Sequence, residues 1–210
     1  MDVITAIRRE RGRYRVTVSE QEDVLVSASL MRERPLQEGQ PIDLEEYDNW
    51  LMVRQYRHAL DRAVGYLAAR ARSRHEVEAK LLQAGYRPCT VEMALYKLER
   101  EGLLNDADFA QQWVEARAGR KLGRSRIARE LRHKGVSAEE AEAALEQIDD
   151  EEQLAGAIAL AEKTASRMKP GEDRRRAAAR IQAMLARRGY GWDVVKEAVR
   201  HALDDDGDEL

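Results

Sequence analysis

The 210-residue chain has a single cysteine, Cys89, so no intrachain disulfide can form and no CxxC pair is present to hold zinc. With no activating partner in view, Cys89 is expected to be buried or inert. Aromatic residues are only 5% of the chain, with one phenylalanine, Phe109; that profile favours helices over a β-sandwich. No apolar run approaches bilayer length, so no membrane contact is expected. Met1-Asp2-Val3-Ile4 lacks the basic and apolar segments of a secretion signal, and a cytoplasmic location is expected. Neither GxxxxGK(S/T) nor GxGxxG occurs, so no nucleotide cradle is visible. Gly119 and Gly123 sit among cations but lack the flanking strand and Lys-Ser/Thr of such a cradle, and read as a flexible turn between helices. His58, His75, His133 and His201 are scattered through polar sequence without an i, i+4 pair, and read as surface residues. Asp149-Asp150 and Glu151-Glu152 read as the start of a helix, where acids are favoured. No catalytic group, metal or cofactor is expected, and the chain reads as a non-catalytic binding protein.

Apolar residues make up 43% of the chain and charged residues 36%, enough for a core beneath an unusually charged surface. The net charge of −3 conceals a segregation. Between Arg117 and Lys134 lie Arg117, Arg120, Lys121, Arg124, Arg126, Arg129, Arg132 and Lys134 against one acid, Glu130. Arg174 to Arg188 holds six arginines and no acid. Acids gather between Glu139 and Glu152 and from Asp204 to Glu209. Such a separation points to a basic binding face.

The first 30 residues alternate with period two: Val3, Thr5, Ile7; Tyr14, Val16, Val18; Val24, Val26, Ala28. This predicts short antiparallel strands with turns at Arg11-Gly12 and Ser19 to Asp23. Pro35, Gly39 and Pro41 mark a loop. From Asp43, a predicted N-cap, the period becomes helical, and a break is expected somewhere between Asp43 and Ala69. Ser73 with Glu76, and Ser137 with Glu140, have capping-box spacing. Gly85, Gly102, Gly135 and Gly189 fall where helices should end in a left-handed residue. Pro170-Gly171 breaks the chain before the arginine run.

Aligning Gly85, Gly135 and Gly189 exposes an internal repeat. Eight residues earlier lie Val77, Ile127 and Ile181, and four earlier Leu81, Leu131 and Leu185. One residue later come Tyr86, Val136 and Tyr190. Six later are Val91, Ala141 and Val195; ten later, Leu95, Leu145 and Val199; thirteen later, Leu98, Ile148 and Ala202. Every position is apolar in all three copies, at spacings that share one helical face. Each unit reads as helix, glycine turn, helix, completed by a preceding helix at about 53–69, 106–119 and 152–168. The predicted fold is mainly α: three tandem three-helix, helix-turn-helix-like repeats in an elongated curved array, with a small N-terminal antiparallel sheet. The expected divisions are a β extension and loop at 1–42, a helical lead-in and first repeat at 43–104, repeats at 105–149 and 150–203, and an acidic disordered tail at 204–210.

In the second repeat Arg124, Arg126, Arg129 and Arg132 flank the inward positions Ile127 and Leu131. In the third, Arg176, Arg180 and Arg187 share one face. In the first, Arg70, Arg72 and Arg74 enter the equivalent helix, with Lys80 further along. Guanidinium groups suit phosphate, and neutralising several phosphates gives salt-sensitive, sequence-independent binding. The runs contain almost no acids, which counts against a merely ion-paired surface. The cations expected to contact nucleic acid are these arginines together with Arg117, Arg120 and Lys121. No arrangement presents a defined set of side chains to base edges. The residues alone leave open a stand-alone DNA-binding protein and a pure protein-interaction scaffold.

Glu101-Gly102-Leu103-Leu104-Asn105-Asp106, followed by Phe109-Ala110, Trp113-Val114 and Arg117, resembles the central signature of the RecX family. So do Leu81-Leu82 with Gly85-Tyr86 upstream, and Gly123, Arg126-Ile127, Glu130-Leu131 and Gly135-Val136 downstream. The likeness runs from about Ala59 to Leu203. In this pattern Leu103 and Leu104 are expected to plug the joint between repeats. Phe109 and Trp113 are expected in the core, and Asn105 or Asp106 at a helix cap. The third repeat matches least, since Ala177 to Arg180 has no clear cap. The resemblance implies a regulator that lodges in the groove of the RecA–DNA filament and inhibits strand exchange, ATP hydrolysis and the coprotease function behind the SOS response. The implied partners are the RecA filament and single- and double-stranded DNA, contacted through phosphates, by a monomer.

Overall fold

The computed structural model describes residues 2–19, 22–168 and 172–204. The Pro170-Gly171 break, part of the Ser19 to Asp23 turn and the tail beyond residue 204 lie outside the described residues. The chain forms two compact units, Met1–Asn105 and Asp106–Leu210.

Strands β1 (Asp2–Glu10), β2 (Arg13–Val18), β3 (Glu22–Ser27) and β4 (Pro41–Ile42) form an antiparallel sheet of order β3-β2-β1-β4. Its inward positions, Ile4, Val16, Val18, Val24 and Val26, are all buried, as period-two patterning requires. Gly12 makes the β1–β2 turn at φ 79°. Three details depart from the predicted pattern. In β1 the inward residue is Ile4, whereas Val3 is 40% exposed, Thr5 is exposed and Ile7 is only half-buried, so the alternating set Val3, Thr5, Ile7 is not the inward one. Ala28 opens a helix, α1 (Ala28–Glu33), because the buried Ser27 accepts from the Leu30 amide and caps it. Within the expected loop, Pro41–Ile42 forms β4, which pairs with Asp2 and Val3.

Helix α2 (Leu44–Ala69) begins at Asp43, whose carboxylate accepts from the Glu46 amide. It is continuous over 26 residues, so the expected break is absent. The reason is a stripe at spacings of four that serves two cores. Tyr47 and Leu51 face the sheet, with Leu30, Met31, Leu36 and Ile42, whereas Ala59 and Ala63 face the first three-helix unit. Gln55 lies between them, fully buried. Its amide donates to the Leu25 carbonyl at 3.3 Å and accepts from the Arg87 amide at 3.0 Å.

The end of α2 joins α3 (Arg74–Gln83) and α4 (Pro88–Arg100) in the first unit. The second comprises α5 (Asp106–Ala118), α6 (Arg124–His133) and α7 (Ala138–Glu146). The third comprises α8 (Asp150–Ala165), α9 (Arg174–Arg188) and α10 (Trp192–Asp204). The eighteen aligned apolar positions divide among three separate cores, and all but Leu145 and Ala202 are buried. Gly85, Gly102, Gly135 and Gly189 all have positive φ, as their helix-ending positions require. Ser137 and Glu140 form the full capping box, and Ser73 accepts from the Glu76 amide. The cap missing from the third repeat is Asp173, which caps α9 four residues before Ala177. Leu104 is buried but Leu103 is 53% exposed, so only one of the pair plugs the core. Cys89 is exposed, not buried: Pro88 starts α4, and the inward face begins at Thr90 and Val91.

Gly189 and Gly85 do more than end helices. A Cβ on Gly189 would lie 2.4 Å from the Arg126 Cβ, and one on Gly85 would lie 2.3 Å from the Arg13 Cβ. In the first and third units the turn glycine presses against an arginine of the preceding module. Gln153 of α8 is the counterpart of Gln55, donating to the Leu122 carbonyl at 3.3 Å. Gly123 is likewise no flexible turn. It is buried at the N-cap of α6, its amide donates to the Arg188 carbonyl at 2.9 Å, and a Cβ there would lie 2.2 Å from the Gly189 carbonyl oxygen.

Candidate nucleic-acid interface

The cations singled out in the sequence fall into two groups once their partners are known. Arg70 grips both oxygens of Glu76. Arg74 bonds Glu92 and Glu99, tying α3 to α4. Arg124 pairs with Asp150 at 2.6 Å and donates to the Ile148 carbonyl. Arg180 pairs with Glu172 at 2.6 Å. These four hold the fold together through acids that lie outside the basic runs. By contrast Arg120, Lys121, Arg132, Arg176 and Arg187 are exposed and make no side-chain ion pair among the described residues. Among the described residues Arg129 donates to the Ser125 carbonyl and Arg72 to the Tyr66 carbonyl, and neither makes an ion pair.

Five cations converge on one groove of about 660 Å³ formed by α5, α6 and the end of α9. Arg117 comes from α5, Arg126 and Arg129 from α6, Lys134 from the α6 cap and Arg187 from α9, with His133 at the edge. The only carboxylate in the lining is Glu130. It accepts from Arg117 Nε at 2.6 Å, from Trp113 Nε1 at 3.2 Å and from Arg126 Nε at 3.4 Å. Partial burial pushes its pKa up, but those bonds outweigh burial and hold the carboxyl below its usual range. Glu130 therefore stays ionised and fixes Arg117 and Arg126 beside it, a single carboxylate in a lining that carries five cationic side chains. Low-dielectric walls around like charges concentrate a field that attracts anions.

Trp113 forms the floor of the groove. One neighbour is Phe109, stacked at 5.6 Å between centroids. The Arg117 guanidinium lies 3.9 Å from the ring centroid and the Lys134 ammonium 4.8 Å. Phe109 is buried as expected, but Trp113 is only half-buried and belongs to the groove as much as to the core. Trp113, His133 and Lys134 are what sequence reasoning missed as groove-lining residues. The available signal was Trp113 and Arg117 at i, i+4, a spacing at which aromatic and cation meet on a helix.

Three tandem three-helix units with left-handed glycine turns, preceded by an antiparallel sheet, define a helix-turn-helix-like repeat protein. The chain belongs to the RecX family. Models of the RecX first, second and third three-helix domains match residues 59–98, 105–145 and 150–199 in that order. It is similar to the regulatory protein RecX of Mycobacteroides abscessus, 41% identical over 140 residues, covering 65% of this chain and 68% of the relative. The regulatory protein RecX of Streptomyces coelicolor is 37% identical over 146 residues, covering 68% and 76%. The crystal structure of RecX from Lactobacillus salivarius aligns with a TM-score of 0.67 at 26% identity over 71% of this chain and 97% of that one. A second crystal structure of a regulatory protein RecX, at 24% identity and a TM-score of 0.66, shares the fold over 98% of this chain and all of its own. The chain is thus a member of a family of regulatory proteins. No helix among the described residues is long and apolar enough to cross a membrane.

Proposed function

We propose that this protein binds the RecA–DNA filament and restrains it, lowering strand exchange, ATP hydrolysis and the coprotease activity that triggers the SOS response. It acts as a non-catalytic cytoplasmic monomer whose exposed cations meet DNA phosphates. The observation that carries the nucleic-acid half is the groove in which five cations surround one carboxylate. Family membership supports the RecA half. Arg117, Arg126, Arg129 and Arg187 contact phosphate in the groove, and Arg120, Lys121, Arg132 and Arg176 extend the field around it. The acid-paired Arg70, Arg74, Arg124 and Arg180 keep structural roles. Contact is sequence-independent, because phosphate-directed cations carry no base readout.

The test is RecA's ATP hydrolysis on single-stranded DNA with substoichiometric amounts of this protein. Inhibition below one copy per RecA is expected, and it should weaken at least ten-fold when Arg126, Arg129 and Arg187 are all changed to Gln. A protein that binds bare DNA but leaves hydrolysis untouched even in excess would instead be a stand-alone DNA-binding protein.

A further inference from the structure

The first unit carries a second cationic surface, distinct from the groove and built with the same chemistry. At its centre is Tyr66 on α2. Lys80, in the last turn of α3, places its ammonium 5.3 Å from the Tyr66 ring centroid, and the Arg72 guanidinium lies at 5.7 Å. Arg62 Nε donates to the Tyr66 hydroxyl at 3.0 Å. Arg72 Nε donates to the Tyr66 carbonyl at 3.0 Å. The arginines are thus oriented by neutral oxygens, a phenol and a peptide carbonyl. None of the three cations makes an ion pair among the described residues. Their geometry is fixed while their charge is left unbalanced, unlike Arg70 and Arg74 nearby, whose charge is taken by glutamates.

The β1–β2 turn adds to this surface. Gly12 packs against the Gln83 carbonyl, where its Cβ would lie at 3.2 Å, so the turn sits at the end of α3 that carries Lys80. Arg9 and Arg11 flank the turn, are exposed and make no ion pair among the described residues. Arg13 and Arg15, by comparison, are held by Glu10.

The pattern parallels the groove of the second unit. There, too, an aromatic on the first helix lies beneath a lysine from the end of the second helix and beside an arginine. Two tandem units presenting the same aromatic–cation cluster suit a ligand whose charge also repeats along its length. We propose that Arg62, Arg72 and Lys80, with Arg9 and Arg11 of the hairpin, form a second phosphate-contacting surface for a nucleic-acid strand, anchored at Tyr66. It shares only the ligand class with the groove, and either surface can hold if the other fails.

The experiment uses the full chain and a fluorescent single-stranded oligonucleotide, with anisotropy titrations over a range of salt. The variant Arg62→Gln/Arg72→Gln/Lys80→Gln should bind at least ten-fold more weakly. Its plot of log affinity against log salt should be shallower by about 2, at ~0.7 per phosphate contact. Because Arg72 also braces the end of α2, Lys80→Gln alone and Arg9→Gln/Arg11→Gln serve as surface-only variants, each expected to flatten the slope by about 0.7 per cation removed. Unchanged affinity and slope in these folded variants would overturn the proposal and leave the surface to an acidic protein partner. The groove variant Arg126→Gln/Arg129→Gln/Arg187→Gln, run in parallel, reads the other site: a loss there without a loss here sinks only this proposal, and the reverse sinks only the groove.

Discussion

Gly123→Ala tests the joint between the second and third units with one methyl group. The φ of Gly123 is −78°, which alanine adopts freely, so any cost comes from space alone. The added Cβ would sit 2.2 Å from the Gly189 carbonyl oxygen, 2.3 Å from its carbon and 2.4 Å from the Tyr190 nitrogen, all backbone atoms that no rotamer change can move. Opening 2.2 Å to the 3.4 Å of ordinary contact separates the two segments by about 1.2 Å. That separation breaks the bonds from the Gly123 amide to Arg188 O at 2.9 Å and from the Ser125 amide to Gly189 O at 3.2 Å. Overpacking at about 1–3 kcal/mol and two hydrogen bonds at about 1 kcal/mol each, less about 0.4–1 kcal/mol from the stiffer unfolded chain, leave a net loss of about 3 kcal/mol. At ~4 °C per kcal/mol for a unit of this size, Tm falls by about 12 °C. Thermal melts followed by circular dichroism read the loss, and hydrogen exchange at the Gly123 and Ser125 amides localises it. Gly119→Ala is the control, since its Cβ meets only the Glu115 carbonyl at 3.5 Å. A Gly123→Ala protein within about 0.5 kcal/mol of wild type, with those amides still protected, would refute the joint as described.

Two further predictions rest on single polar groups. The Tyr47 hydroxyl is buried without a hydrogen-bond partner among the described residues, and burial pushes its pKa up to about 12. Tyr47→Phe should therefore raise stability by about 1 kcal/mol in urea unfolding at pH 7; a loss of that size would mean the hydroxyl is satisfied after all. Because the folded-state pKa is raised, wild type should lose stability between pH 10 and about 12, whereas the Phe variant should not. Glu130→Gln should cost about 1 kcal/mol at neutral pH, with the partial exposure of the site limiting the effect, while tightening oligonucleotide binding by removing the groove's one negative charge. The Glu130 pKa is lowered, so the stability difference should be full above pH 4.5 and vanish as pH falls through the depressed value. A difference independent of pH would remove the carboxylate's charge from the explanation.

Much of the fold could be read from the sequence because its rules are local. Left-handed glycines, caps and a repeated apolar face each act within a few residues, so aligning Gly85, Gly135 and Gly189 located all three cores. The candidate site was harder to read because ion pairing is not local. Arg74 finds Glu92 and Glu99, 18 and 25 residues away, and Arg124 finds Asp150, 26 away. A run of arginines without acids therefore looked uniformly free when several of its members were already engaged. Gly123 was misread for a similar reason: nothing in its own backbone demands glycine, and the demand comes from Gly189, 66 residues on. Trp113 was assigned to the core because a half-buried aromatic and a fully buried one leave the same periodic trace.

The joint made by Gly85, Arg13 and Gln55 and the joint made by Gly189, Arg126 and Gln153 ask little of the module they receive. Each needs an arginine Cβ against a bare turn and one free carbonyl for a glutamine, at Leu25 in one case and Leu122 in the other. A β-hairpin meets those terms as well as a three-helix unit does. The socket is thus indifferent to secondary structure, and parts of unlike architecture become interchangeable upstream of it. A chain built this way can gain, lose or exchange a leading module without redesigning the repeat that follows.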